Sequence, residues 1–332
     1  MKILFIGGTG NISSSVSRRL LAEGHELWLL NRGLRATTFS NARIIVADMG
    51  QPDAVKSALG SETFDVVVNW IAFTPAEMQR DLELFTGRTA HYFFISSASV
   101  YRKPILDPAI TESTPAHNPF WSYAQNKIAC EECLLKAWRE KGFPVTIVRP
   151  GHTYDRIIPV AVHAGSSWTV VERIRRGLPV VVQGDGTSIW VVTHSEDFAK
   201  GFVGLLGNAR AIGETFHITS DELLTWNQIH EEIGRAVGVA PKIVHVASET
   251  IARFEPNLAG SLLGDKAHSF WCDNRKIKHW VPGYVATIPF HEGIRRTIEW
   301  FDADPARKVD HPATHGLHEK LIKAEAGLSS SG

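Results

Sequence analysis

The 332-residue chain carries 35 basic and 35 acidic side chains, so no global field draws it to nucleic acid, a membrane surface or an acidic polymer. Its apolar content of 44% is ordinary for a soluble globular protein, and no apolar stretch approaches the ~20 residues that span a bilayer. Three cysteines argue against a disulfide framework and fit a reducing cytoplasm, and the N-terminus enters a strand directly, without a signal-peptide core.

In chain order, Lys2 to Ile6 is a short apolar run that reads as a buried strand. Gly7-Gly8-Thr9-Gly10-Asn11-Ile12-Ser13 follows at once, then helical spacing from Ser14 to Glu23 and a second apolar run, Glu26 to Leu30. Glycine at a strand-to-helix turn lets the backbone approach a diphosphate, and the helix N-terminus offers its unpaired N–H groups to that anion. A dinucleotide is therefore expected, with Gly7, Thr9, Gly10, Asn11 and Ile12 around it. After the second strand stand Asn31 and Arg32, with Arg35 nearby, where an acidic residue would select NAD. The basic pair tilts the choice towards NADP, a solvated basic loop being the alternative. Ala42 to Ala47 reads as a third strand ending at Asp48 and Met49, with Asp48 placed to reach an adenine amino group. Phe64 to Asn69 is a fourth strand, and Trp70, Ile71 and Phe73 lie at its carboxyl end, the edge where such sheets bind ligands.

His91 to Ser97 is a fifth strand ending in a serine cluster that includes Ser99. The long, proline-containing stretch Arg102 to Pro119 is expected to be a functional flap. Phe120 to Glu140 is a helix carrying Tyr123 and Lys127, and Val145 to Val148 is a sixth strand, stopped by Arg149-Pro150-Gly151-His152. Short strands at Val180 to Val182 and Ser188 to Thr193 come next, and from Ile212 the alternation loosens. The expected architecture is α/β: a doubly wound parallel sheet over residues 1–175, completed by 180–210, a smaller α/β substrate domain over 211–301, and a polar tail from 302 to 332. That tail, ending in Ser-Ser-Ser-Gly, is expected to be extended or partly disordered.

Tyr123 and Lys127 are four apart and share a helix face. A neighbouring ammonium lowers the pKa of a phenol, and a serine hydroxyl from a strand end holds the same substrate oxygen. Such a trio moves a proton to or from a carbinol while a nicotinamide carries the hydride. Trp190, Ser99 and Phe73 are candidates to line the substrate pocket, aromatic core being the alternative for the two rings. Cys130 and Cys133 lie within the Tyr123 helix rather than at a helix N-terminus and read as ordinary thiols. His194 reads as a structural histidine at a strand end. His311, His315 and His318 read as a solvated cluster, and no metal site is assigned. Arg173, Arg175 and Arg176, the densest basic stretch, are expected to cap a helix C-terminus.

With these motifs in hand, GGTGNIS (Gly7 to Ser13), SSASVY (Ser96 to Tyr101), YAQNK (Tyr123 to Lys127), RPGHTY (Arg149 to Tyr154) and THSEDFA (Thr193 to Ala199), the chain resembles the short-chain dehydrogenase/reductase superfamily. The likeness is to its extended epimerase/dehydratase-like branch, with a Rossmann-type domain, and runs from Met1 to about Trp300. The resemblance implies Ser97 as the catalytic serine, Tyr123 as acid/base and Lys127 on the nicotinamide ribose. It places Pro150 and His152 beside the cofactor, and His152 where many relatives carry an asparagine near the substrate. It also implies a homodimer formed through the Tyr123 helix. Three departures stand out: Ser13 replaces the third glycine of the turn, Trp190 replaces an arginine that grips the diphosphate in sugar-nucleotide members, and FDVVVNWIAF (Phe64 to Phe73) looks like an atypical branch. That branch includes chloroplast stem-loop RNA-binding relatives without the tyrosine. The expected function is an NAD(P)-dependent oxidoreductase or epimerase acting on a small, sugar-like alcohol or ketone. The alternative is a cofactor-binding regulatory or RNA-binding module without turnover.

Overall fold

Seven parallel strands form the central sheet of the computed structural model, which describes residues 1–34 and 39–329. Five come early: β1 (Lys2–Ile6), β2 (Glu26–Asn31), β3 (Arg43–Val46), β4 (Phe64–Asn69) and β5 (Thr89–Ile95). Val145–Pro150 and Thr215–Ile218 extend the sheet beyond β5, giving the order Thr215–Ile218, Val145–Pro150, β5, β4, β1, β2, β3. Helices α1 (Asn11–Ala22), α2 (Pro52–Leu59), α3 (Pro75–Phe85) and α4 (Ser122–Lys141) interleave with these strands. Both faces of the sheet are covered, which explains why β1 is a continuous apolar run rather than an alternating one. Ile3 and Phe5 pack with Val16 and Leu20 of α1 on one side; Leu4 and Ile6 pack with Val55 and Met78 on the other.

The chain order reverses between β1 and β4, which pair in register Ile6 to Asn69. A doubly wound sheet opens a crevice at that point, beyond the carboxyl ends of its strands. Ile95 pairs with Val148, so Ser97 and Pro150 emerge on this same edge.

Two expectations are corrected here. The sheet is not completed within residues 180–210. Val180–Gln183 pairs with Ile243–Val246 and Val192–His194 with His152–Tyr154, both outside the main sheet. The seventh strand comes from Thr215–Ile218, a stretch assigned above to the smaller domain. The helix Ser195–Leu205 makes the crossover possible by setting Phe198 and Phe202 against the sheet face shared with α1.

The segment after Asp302 is not an extended tail either. Pro312–Ser329 is a helix whose Leu317 and Leu321, four apart, enter the second core with Trp168, Trp226 and Phe301. Its His318 is buried: Nδ1 accepts from the Val181 N–H at 2.9 Å and Nε2 donates to the Val162 carbonyl at 3.1 Å. His315 bonds Asp310 at 2.7 Å, so the three histidines do not form a solvated cluster. Arg35 and residues 330–332 lie outside the described residues. No helix among the described residues is long and apolar enough to cross a membrane.

Candidate active site

Two cavities lie at the carboxyl edge of the sheet. The larger, about 940 Å³, is lined by Gly7, Thr9, Gly10, Asn11, Ile12, Asn31, Arg32, Asp48, Met49, Trp70 and Ile71. Every one of these residues was expected around a dinucleotide. Gly7 and Gly8 take φ of +96° and +100°, which side chains disfavour, and a Cβ on Gly8 would stand 2.6 Å from Leu29 Cδ2. The turn thus bares backbone to the cleft at the N-terminus of α1, where the first-turn N–H groups lack intrahelical acceptors. Volume, glycine cradle and helix end together suit a dinucleotide diphosphate. Ser13 is accommodated because its Oγ accepts from the Gly10 N–H at 2.9 Å, and Ser17 Oγ donates to the Gly8 carbonyl at 3.1 Å. The Asn11 amide is engaged structurally: its Oδ1 accepts from the Arg156 N–H at 3.0 Å and its Nδ2 donates to the Thr153 carbonyl at 3.3 Å. Asn31 Oδ1 accepts from the Gly33 N–H, whereas Arg32 is exposed at the rim.

The smaller cavity, about 170 Å³, gathers Ser97, Ser99, Tyr123, Pro150, His152 and Trp190, with Trp121, Asp265, Lys266 and Phe270. Pro150 and His152 therefore line this cavity rather than the glycine cleft, a shift from the cofactor role expected of them. Phe73 lines neither cavity; it is 45% exposed, with its ring 6.0 Å from that of Tyr123. Trp190 is buried, edge-on to Phe270 with ring centres 4.5 Å apart.

Ser97 stands two residues past β5, as the cap of the short turn Ala98–Val100. Its Oγ accepts from both the N–H and the hydroxyl of Ser99, at 3.2 and 2.9 Å. Burial pushes the Tyr123 phenol above its ordinary pKa, a hydrogen bond from Ser97 pulls it back, and the Asp265 carboxylate raises it further. Lys127 does not counter the burial. Its ammonium turns to the Ala72 and Ile95 carbonyls, 2.7 Å from each, and lies 5.9 Å from the centre of the Tyr123 ring. Two buried carbonyls thus hold the Lys127 ammonium, and burial is the largest cause of the upward shift of the Tyr123 phenol. Burial also brings Lys127 itself down to about 8.

The loop bearing Trp70 to Phe73 is held from below. Asn69 Oδ1 accepts the N–H groups of Ile71 and Ala72 at 2.9 and 3.0 Å, and its amide donates to the buried Asp81. Tyr92 donates to the same carboxylate at 2.6 Å, and Arg80 pairs with it at 3.1 Å. The stretch Arg102 to Pro119 is tied down as well: Ala109–Ile110 pairs with Trp271–Cys272, and Asn118 Nδ2 donates to the Ser99 and Gly264 carbonyls at 2.8 and 2.7 Å. That tie brings Asp265 and Lys266 to Tyr123, some 140 residues away in sequence, and no local motif announces them. The only trace is Gly264, where a Cβ would stand 3.0 Å from both Trp121 Cβ and Asn118 Oδ1.

The remaining candidates are structural. His194 Nδ1 accepts from the Glu196 N–H at 3.2 Å, capping a helix. Arg173 pairs with Glu319 and Arg175 with Asp302, at 2.6 and 2.5 Å. Burial pushes the Cys130 thiol up to about 12, which removes it as a nucleophile.

Residues 3–219 match the family model described as NAD dependent epimerase/dehydratase family. The chain is 26% identical over 253 residues to 2'-dehydrokanamycin reductase of Streptomyces kanamyceticus, covering 76% of this chain and 71% of that protein. It is 30% identical over 259 residues to the chloroplast stem-loop binding protein of 41 kDa b of Arabidopsis thaliana, covering 74% of this chain and 65% of that protein. Among solved structures, Pal from Bacillus thuringiensis superposes with a TM-score of 0.74 at 22% identity, over 91% of this chain and 99% of that one. UDP-glucuronic acid 4-epimerase from Bacillus cereus, solved with UDP-glucuronic acid and NAD, gives 0.73 at 19% identity, over the same shares.

Proposed function

The chain belongs to the NAD dependent epimerase/dehydratase family, and on that footing we propose an NAD(P)-dependent oxidoreductase or epimerase acting at a secondary alcohol or ketone of a small, sugar-like substrate. The observation that carries this reading is the Ser97–Tyr123 pair in the smaller cavity, together with a glycine turn fit for a diphosphate in the larger one. The nicotinamide, when bound, supplies or accepts hydride at its C4. In the reducing direction Tyr123 gives its phenolic proton to the carbonyl oxygen as the carbon gains hydride. Ser97 keeps its proton and donates a hydrogen bond to that oxygen as negative charge develops there. Lys127, fixed by two carbonyls, keeps one N–H for a cofactor ribose. In the oxidising direction the same proton returns to Tyr123. Tyr123→Phe keeps the ring and removes the proton, so it should bind cofactor and lose turnover. Undiminished turnover in that variant would sink the mechanism.

The identity with the chloroplast stem-loop binding protein favours a second reading, a cofactor-holding RNA-binding module. Against it, Arg173 and Arg175 are neutralised by Glu319 and Asp302, so the densest basic stretch offers little free charge to phosphates. A salt-sensitive gel shift of a labelled stem-loop RNA would raise this reading; absence of binding at low salt removes it.

A further inference from the structure

We propose that the smaller cavity selects a compact polyhydroxy substrate bearing one anionic group, a carboxylate or a phosphate monoester, seated on Lys266, rather than a nucleoside-diphosphate sugar. The inference rests on the carbonyl chemistry proposed above and adds the substrate class.

Charge is the first argument. Asp265 stands between two lysines. Lys103, only 1% exposed, approaches its Oδ1 at 3.5 Å from behind Phe270, without a well-formed hydrogen bond. Lys266 stands 3.9 Å from Oδ2, its ammonium 5.5 Å from the centre of the Trp121 ring, and lines the cavity. The two histidines nearest Lys266 do not change the sum. Burial and that ammonium hold His152 down at about 3 and lower His163, so both are neutral at pH 7. Burial draws the Lys266 ammonium below its ordinary pKa and the Asp265 carboxylate holds it up; with both lysines protonated the cluster carries one net positive charge in a largely water-excluded place. An uncompensated buried charge is costly, and an anion placed on it relieves that cost. A cationic substrate would add to it.

Size and unfilled polar atoms are the second argument. About 170 Å³ falls below the ~300 Å³ at which pockets for drug-sized ligands begin. The cavity wall carries the Trp190 indole, packed against Phe270 and Trp226, where a diphosphate would need a cation. Trp190 Nε1 and His152 Nδ1 are buried without partners on the wall of this same cavity. Buried polar groups are rarely left unpaired, and hydroxyls beside the reacting carbon are suitable partners for both.

The test uses purified full-length protein with glucuronate, glucose 6-phosphate, glucose, UDP-glucose and kanamycin as probes. Binding to Tyr123→Phe is read by calorimetry and by the fluorescence of the cavity tryptophans, so the result does not depend on turnover. At least one of the two monoanionic sugars should bind about tenfold or more tighter than glucose, the scale of one charge-assisted hydrogen bond. Lys266→Met should abolish that preference and Lys266→Arg restore most of it. Asp265→Asn, which raises the net charge, should strengthen it. Equal binding of glucose and both anions, tighter binding of kanamycin or UDP-glucose, no binding of either anion, or a preference unaltered in Lys266→Met would each overturn the proposal. Failure of the carbonyl chemistry shows separately, as unchanged turnover in Tyr123→Phe.

Discussion

Ser99 supplies two hydrogen bonds to a single atom, the Oγ of Ser97, one from its backbone N–H and one from its hydroxyl. With both acceptor positions of that oxygen taken, the Ser97 proton is left to point at Tyr123 and at any oxygen beside it. Ser99 thus acts as a positioning residue for Ser97. Ser97→Ala should lower kcat by ~10²–10³ with little change in KM, since it removes a donor felt most in the transition state. Ser99→Ala should lower kcat by about tenfold, because only one of the two orienting bonds goes. Equal effects of the two variants would contradict this division of roles.

Tyr123 and Lys127 separate in a pH profile. The buried phenol titrates above its ordinary value, so its acid form persists through neutral pH, and proton donation is lost only on the far alkaline side. Lys127 is held down to about 8, so its charge is present below that value and disappears above it. Cofactor affinity should be level below about pH 8 and decline above it, while Lys127→Met should sit at the weak level throughout. Fluorescence titration of the cofactor across pH reads both curves.

Arg32 faces the cleft from its exposed rim. Arg32→Ala should lower the ratio of kcat/KM for NADPH over NADH by about tenfold, chiefly through KM. A ratio that does not move would leave Arg32 a solvated rim residue and remove the preference for NADP.

Asn69 should matter to cofactor binding without touching it. Its side chain holds two N–H groups of the Trp70–Phe73 loop, and Asp81 holds its amide in turn. Asn69→Leu leaves those N–H groups and the Asp81 carboxylate short of partners. It should cost ~2–4 kcal/mol of stability in a denaturant titration and raise the cofactor KM.

Acid should unfold the chain through its histidines. Burial lowers His91 and His230 to about 4, and His318 to about 3, from an ordinary 6.5. The unfolded chain takes up these protons first as pH falls. The stability contributed by the neutral histidines is therefore complete above 6.5 and lost progressively towards 3 to 4. Calorimetric Tm should drop from about pH 7.5 to about pH 4.5, and His318→Gln should show a shallower slope whatever its starting Tm.

Much of this protein is written locally. The buried run Lys2 to Ile6, the glycine turn and the spacing of Tyr123 and Lys127 each follow from a few adjacent residues, since period, turn chemistry and helix face are short-range properties. They determined the sheet, the cleft and the order of Ser97, Tyr123 and Lys127 along the chain. Distant partners decided the rest. Thr215–Ile218 joins the main sheet only because Ser195–Leu205 packs beside α1. Pro312–Ser329 reads as a polar tail until Leu317, His318 and Leu321 meet the second core. Two carbonyls, of Ala72 and Ile95, turn the Lys127 ammonium from the Tyr123 phenol, and Asn118 carries Asp265 and Lys266 to the reacting pair. The Asp265 carboxylate that acts on Tyr123 lies more than a hundred positions away, and desolvation of the phenol exists only once the chain has closed around it.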